Sequence, residues 1–272
     1  MTSQAATPST SSTSLRAKKP SEFLISTSSD LSRCSGPALQ APSTCYDMND
    51  MAKIYVFEDT LKDDVQNAHE IPRGLLRWHS SYFAAALDPD SDIGSKNGEL
   101  RLNEDHAVFG AFLCWIWTGR LKDIPESLED ASAPDFYLSS MLLCKIWVFG
   151  DMRGVPGLCN AAIDMLHERI TAKWSITIPV ISWIYENTRP GAALRGFMVD
   201  TCMLLKGPSF WQQLGDESKA IPVQFVLDAL PALISRGQTA EPIKRAAWTV
   251  LDRCQWHDHS GPGGKLRMES RE

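Results

Sequence analysis

Residues 69–87 read HEIPRGLLRWHSSYFAAAL, and this stretch decides the fold class. It predicts the end of a strand followed by two short helices. Pro72 suits the first position of a helix, because its missing N–H has no helical partner there. Ser80 or Ser81 can cap the second helix, since a serine hydroxyl accepts a hydrogen bond from a free backbone N–H. The apolar residues that mark the two helices are Leu75, Leu76, Trp78, Tyr82, Phe83 and Leu87.

Short β-forming stretches lie on both sides of these helices. Residues 53–57 (KIYVF) are rich in β-branched and aromatic side chains, which predicts a strand. Residues 65–71 form a poorer strand pattern, because polar residues interrupt the alternation. Residues 88–98 have the composition of a loop, and residues 99–102 (ELRL) alternate again. The pattern therefore predicts a small sheet of short strands.

The next predicted element is a helix that carries Phe109 and Phe112, capped by Asn103 or Asp105. Trp115 and Trp117 extend its apolar stripe around most of the circumference, which is typical of a buried helix. Both tryptophans, and Trp147 further on, are expected to pack in the core. The sequence Thr118-Gly119 is expected to end this helix.

Further helices follow to the end of the chain. An apolar helix is predicted over residues 136–149, and Pro156 is expected to open another. Beyond Trp174 the pattern is helical without a comparable strand signal. Pro231 is expected to break or kink the last long helix. The helical segments predicted after Trp174 are 179–185, 192–205, 210–214, 223–234 and 246–251.

These elements predict an α+β protein with four parts. Residues 1–50 are a Ser/Thr/Pro-rich tail, expected to be disordered because it has too few large apolar residues to offset chain entropy. Residues 51–170 are the α+β domain of short strands covered by a helical cluster. Residues 171–256 are an all-helical extension. Residues 257–272 are a second tail that is expected to be disordered.

Composition narrows the classes of function. With 43% hydrophobic residues, the chain of 272 residues can bury a large core, and its net charge of −6 argues against broad nucleic-acid binding. Seven scattered cysteines do not suggest a disulfide framework, so buried thiols in a reducing compartment are expected. The apolar stretch 107–117 is too short to span a membrane. We expect a soluble intracellular protein, in the cytoplasm, the nucleus or both.

Three segments, in this order and spacing, resemble the BTB/POZ domain as fungal proteins carry it. The first combines Leu-Leu with Ser-x-Tyr-Phe, the second ends in Trp-Ile-Trp-Thr-Gly, and the third contains Val-Pro before a closing helical hairpin. Residues 185–200 are similar to the helical extension that often follows fungal BTB domains. The resemblance covers about residues 53–235 and implies a packing role for Leu75, Leu76, Ser80, Tyr82, Phe83, Phe109, Phe112, Trp115, Gly119 and Pro156.

The resemblance implies a non-enzymatic protein–protein interaction module, a scaffold or adaptor. In one version the protein links a target to a cullin-type ubiquitin ligase, as some relatives do, and Ile124 and Glu126 are similar to a cullin-contact motif. The alternative is a transcriptional regulator that acts through BTB contacts. The expected partners are other proteins, a cullin or a BTB partner among them, with no direct nucleic-acid or membrane contact. Homodimerisation is not favoured, since no amphipathic helix precedes Lys53.

The sequence motifs predict no catalytic residue, no cofactor site and no metal site. His167-Glu168 is similar to the opening of a zinc-protease motif, but Thr171 stands where the second His is needed, so a helix-end His on a polar face is expected. An enzyme of unrelated fold would need a deep pocket with convergent polar groups. A cluster near the C-terminus could hold a soft metal but lacks a fourth ligand, so chance proximity is preferred for Cys254, His257 and His259.

Overall fold

The computed structural model describes residues 41–58, 67–88, 97–121, 138–176, 178–205, 221–236 and 242–259. Within these ranges it contains three strands and nine α-helices, which confirms the predicted α+β class. The strands are β1 (Met51–Phe57), β2 (Asn67–Pro72) and β3 (Glu99–Asn103). The helices are α1 (Arg73–His79), α2 (Ser81–Ala86), α3 (His106–Thr118), α4 (Ser140–Met152), α5 (Pro156–Lys173), α6 (Ile178–Asn187), α7 (Ala193–Leu205), α8 (Val223–Arg236) and α9 (Arg245–Thr249).

The sheet has the order β2-β1-β3, with β1 antiparallel to β2 and parallel to β3. Strand β1 buries Ala52, Ile54 and Val56, because alternate side chains of a strand point to the same face. The polar residues that weakened the β2 pattern are tolerated because β2 lies at an edge of the sheet. The sheet therefore offers one apolar face, on which the helices pack.

Pro72 does not open a helix, contrary to the prediction. It is the last residue of β2, where it pairs with Met51 in an extended conformation. Helix α1 begins one residue later, at Arg73, whose backbone N–H donates to the carbonyl oxygen of Asp50 at 2.8 Å. The proline fits this place because its fixed φ suits an extended residue as well as a helical one.

Helices α3, α4 and α5 form the cluster that covers the sheet. Asp105, rather than Asn103, caps α3 by accepting a hydrogen bond from the Ala107 N–H at 2.9 Å. Gly119 ends this helix in the left-handed region, at φ 70°, as its position in the sequence predicts. Trp115 is buried, but Trp117 is 44% exposed, so the prediction of a core position for Trp117 is wrong. The reason is that the sheet contacts only one side of α3.

Helix α4 begins four residues later than predicted and runs three residues further. Ser139 caps it, with Oγ accepting from the Leu142 N–H at 3.1 Å, and Met152 is its last residue. Residues 136 and 137 lie outside the described ranges. Trp147 is buried on this helix, as expected. Pro156 occupies the first turn of α5, which confirms that prediction.

The helical extension shares one apolar core with the strand-containing part. The predicted boundary at residues 170/171 falls inside α5, and buried residues continue without a break into α6, α7, α8 and α9. Helix α8 continues through Pro231 to Arg236, so the proline does not end it. Because Pro231 has no N–H, the carbonyl oxygen of Leu227, four residues earlier, lacks its helical donor. Leu227 is exposed, so water can bind that oxygen.

Both chain segments that flank the predicted domains are ordered further than expected. Ala41 is buried and a 3₁₀ turn spans Ser43–Tyr46, although disorder was predicted up to residue 50. At the other end, residues 257–259 pack on the protein, although the tail was predicted to begin at His257. No helix in the described ranges combines the length and the apolar character needed to cross a membrane.

One cysteine departs from the expectation of free thiols. Cys254 is disulfide-bonded, whereas the other five cysteines in the described ranges keep their thiols. These five cysteines are Cys45, Cys114, Cys144, Cys159 and Cys202. A spacing argument along the chain misses such a bond, because a single disulfide depends on which distant segments meet in the fold.

Candidate interaction surfaces

Ser80 joins the α1–α2 junction to the turn between α4 and α5. Its Oγ accepts a hydrogen bond from the Phe83 N–H at 2.9 Å, which caps α2, and donates to the carbonyl oxygen of Arg153 at 2.6 Å. The neighbouring Ser81 N–H donates to the Gly154 carbonyl oxygen at 3.1 Å. One buried hydroxyl thus caps α2 and also bonds a carbonyl group 73 residues further along the chain.

Arg153 completes this contact on the other side. Its guanidinium group bonds the Glu104 carboxylate at 2.5 Å and lies 4.6 Å from the centre of the Tyr82 ring. Tyr82 therefore stacks under a cation rather than pointing into the core. These contacts show a structural task for the Ser-x-Tyr-Phe motif.

The other signature residues lie in the core or at helix ends. Leu75, Leu76 and Phe83 are fully buried below α1 and α2, and a ring cluster continues from Phe83 through Phe112 at 5.9 Å. Phe109 and Trp115 are also buried, Gly119 is the end of α3, and Pro156 is the start of α5. Ile124 and Glu126 lie outside the described residues.

A cleft of about 520 Å³ lies where the strand-containing part meets the extension. Its walls come from the α1–α2 junction, the α4–α5 turn, the α6–α7 loop and the C-terminal segment. Polar and aromatic groups face each other across it. They include Trp78, His79, Asp151, Asn160, Arg189 and Trp256.

Two ionisable groups of the cleft, His79 and Cys159, have pKa values shifted toward their neutral forms. Burial lowers the pKa of His79 to about 4, so its imidazole is neutral. Burial also raises the pKa of the Cys159 thiol, which donates to the Trp147 carbonyl oxygen at 3.4 Å and stays protonated. Asp151 and Arg189 pair at 3.5 Å across the rim.

The C-terminal segment closes one end of the cleft. Asn160 of α5 donates to the carbonyl oxygen of Asp258 at 2.8 Å and accepts from its N–H at the same distance. His257 lies 3.1 Å from the Asp164 carboxylate. The described part of the chain holds no group of three His, Cys, Asp or Glu side chains placed to bind a metal. Of the Cys254, His257 and His259 set, Cys254 is disulfide-bonded and His257 lies against Asp164.

His167 is buried, so its expected place on a polar face is wrong. Its ring stacks on Trp248 at 4.4 Å, and its Nε2 lies 3.0 Å from the Trp248 carbonyl oxygen. Burial, with a smaller effect of Arg253, lowers the pKa of His167 to about 4. The residue holds α9 against α5. A helical pattern cannot show this, because Trp248 is 81 residues away.

Helix α8 carries an apolar stripe on its exposed side. The stripe consists of five side chains between 44% and 73% exposed: Val223, Val226, Leu227, Leu230 and Ile234. The opposite side of the helix buries Phe225 and Ala229 in the shared core. The spacing of the five residues is visible in the sequence, but the apolar residues of α8 extend beyond the stripe to the buried Phe225 and Ala229. Only the tertiary contacts tell which side faces outward.

Two tryptophans of the helical extension are less exposed than this stripe. Trp174 is half-buried with the Arg245 guanidinium 5.3 Å from its ring centre, and Trp183 is half-buried against the core. Trp211 lies outside the described ranges. Helix α8 therefore has the more continuous apolar surface.

Comparison of the chain with models of known protein families found no match. Comparison with curated proteins found none either. The BTB/POZ resemblance stays a prediction that rests on the residues quoted above.

Proposed function

We propose that this protein is a non-enzymatic protein–protein interaction module of the BTB type, acting as a scaffold or adaptor. The observation that carries the proposal is the apolar stripe of α8. Contiguous exposed apolar surface costs solvation free energy in a soluble protein, and where it lies on a helix it is typical of a protein contact site.

Contacts within the protein hold the stripe in a fixed position. Tyr185 of α6 donates to the Asp228 carboxylate at 2.8 Å and packs edge-on to Phe225 at 5.7 Å. Phe225 is buried against the rest of the extension, whereas Asp228 is exposed beside it and is bonded to α6. The helix is therefore held by a polar bond and an aromatic contact, so the stripe binds without first having to be ordered.

The order of elements supports the BTB assignment. Short strands precede a buried helix that ends at Gly119, and a closing hairpin of α4 and α5 follows. Ser80 and Tyr82 contact that hairpin at Arg153, through a hydrogen bond and a cation–π contact. A BTB protein of the fungal type would carry its signature residues in these places.

Two versions of the function differ in the partner. In the first, the protein links a target to a cullin-type ubiquitin ligase, with the cleft or the stripe taking one of the two proteins. In the alternative, it regulates transcription through BTB-mediated contacts with a DNA-binding partner. The acidic net charge argues against direct binding of DNA, so the alternative requires that the partner bind the DNA.

The test is affinity purification of the full chain from its native cell. We compare the wild-type protein with Leu227→Glu and, as the control, with Gln224→Glu, which adds the same charge on the same helix outside the stripe. The proposal expects specific co-purifying proteins, or self-association of the chain, that Leu227→Glu loses and Gln224→Glu keeps. A folded wild-type chain that associates with no protein, itself included, would overturn it.

A further inference from the structure

The five stripe residues of α8 recur at intervals of three, one, three and four positions, from Val223 to Ile234. At 100° per residue these positions fall within about one third of the helix circumference. The polar residues Gln224 and Asp228 lie beside the stripe or behind it. The exposed side of α8 is therefore apolar along about 20 Å of helix, at 1.5 Å per residue.

We propose that this stripe binds the same stripe of a second copy of the chain, with the two α8 helices antiparallel about a twofold axis. The inference rests on the proposed function and deepens it, because it names the partner. A BTB-type dimer through residues before Lys53 would use a different surface.

The pattern of the stripe is self-complementary. With the axis passing between positions 228 and 229, Leu227 faces Leu230 of the other helix and Val223 faces Ile234. The remaining stripe residue, Val226, then faces Pro231, which is also exposed. Each side chain meets an apolar partner, as a twofold contact between identical surfaces requires.

The area of the stripe suits a dimer of modest affinity. The exposed fractions of its five side chains amount to about 500 Å² on each copy and about 1,000 Å² for the pair. A value near 1,000 Å² is about the lower bound for a specific interface, and it exceeds what most chance contacts bury.

Charge does not oppose the pairing. No charged residue belongs to the stripe, and the only carboxylate in α8, Asp228, lies outside the stripe and is bonded to Tyr185. The two copies therefore bring together neutral surfaces even though each chain has a net charge of −6. The contact should be insensitive to salt.

The experiment is sedimentation equilibrium and light scattering of the purified full chain at micromolar concentrations. We expect a dimer for wild type and for the control Gln224→Glu. Leu227→Lys and Leu230→Glu should each raise the dimer dissociation constant about tenfold or more, because each buries an unpaired charge against leucine.

Mixing the two charged variants tests the register. Leu227→Lys and Leu230→Glu should form a mixed dimer, since in this arrangement the new lysine faces the new glutamate at one contact and leucine faces leucine at the other. Far-ultraviolet circular dichroism establishes that each variant is folded.

The outcomes separate the inference from the function on which it rests. If the wild-type chain is monomeric and the stripe variant no longer binds a different protein, self-pairing is wrong. The proposed interaction module would still be supported. A monomer that Leu227→Lys strongly destabilises also overturns self-pairing, because a segment of the same chain then covers the stripe. A dimer that all variants keep places the interface elsewhere and overturns the inference.

Discussion

Polar side chains that are buried between distant segments determine how the parts of this protein meet. Ser80 bonds residue 153, and Trp256 donates from its indole N–H to the Asp200 carboxylate at 2.8 Å. Arg195 is buried, donates to the Thr188 hydroxyl at 2.9 Å and lies 4.4 Å from the Tyr185 ring centre. Removal of one partner from such a contact costs about 1–3 kcal/mol, since a buried polar group is then left without a bond.

His167 predicts a dependence of stability on pH. Its pKa is about 4 in the folded protein, below the ordinary value of 6.5, because the neutral ring is buried on Trp248. The unfolded chain therefore takes up the proton first as the pH falls. The contribution of neutral His167 to the free energy of unfolding is therefore complete above about pH 6.5 and is lost as the pH falls to about 4. About 2 kcal/mol of it is lost from pH 7 to pH 5.

The measurement is urea unfolding of wild type and His167→Phe at both pH values. The phenylalanine keeps a ring on Trp248 but cannot titrate, so the pH-dependent loss should shrink by about 2 kcal/mol. His79, also buried with a pKa near 4, contributes to the loss that remains. Equal losses in the two proteins would show that His167 is not the titrating group.

Among the elements, the turn between α4 and α5 is the most constrained. Gly154 has φ +58°, and a Cβ at this position would lie 2.0 Å from the Ser81 Oγ. The turn also provides both carbonyl oxygens that bond the α1–α2 junction. The α4–α5 hairpin therefore packs closely against the α1–α2 pair, with no room for a side chain at position 154.

Replacement of Gly154 by alanine tests this constraint. We expect a loss of at least about 2 kcal/mol in the free energy of unfolding, because the side chain strains the backbone and clashes with Ser81. The matched control is Gly110→Ala in α3, where a Cβ meets no atom within 4 Å. It should raise stability by about 0.5–1 kcal/mol, since alanine favours a helix over glycine. Similar effects of both substitutions in urea titrations would contradict this account of the turn.

The whole molecule behaves as one body because the extension completes the core of the strand-containing part. Trp248 and Trp256 lie against Phe197 of α7 at 6.4 Å and 5.0 Å, and Trp248 also contacts His167 of α5. The C-terminal segment thus bridges both parts. A shared apolar core couples their unfolding.

We therefore expect a single unfolding transition, coincident by circular dichroism and tryptophan fluorescence. Trp256→Phe should lower the free energy of unfolding by about 1–3 kcal/mol without splitting the transition, because it leaves the buried Asp200 carboxylate without its indole donor. The same substitution at exposed Trp117 should change it by less than about 0.5 kcal/mol. Two separate transitions would show that the extension folds independently.

Much of the fold could be predicted because its signals are local. Gly119 ends α3, Ser80 caps α2 and Pro156 opens α5, and each follows from the backbone preferences of one residue and its neighbours. The start of α4 was missed because the apolar pattern continues upstream of the residue, Ser139, that caps the helix. Pro72 was misplaced because its φ suits a strand end and a helix start alike.

The sequence by itself determined the α+β class, the order of the elements and the large apolar side chains of the core, because apolar spacing and helix caps act over a few residues. Only the tertiary structure decided that Trp117 faces outward, that His167 is buried under Trp248, that Cys254 is oxidised and that α8 exposes five apolar residues. These outcomes depend on which distant segments pack together. A helix whose apolar residues extend around most of its circumference carries no local signal that tells which part of that surface its neighbours will cover.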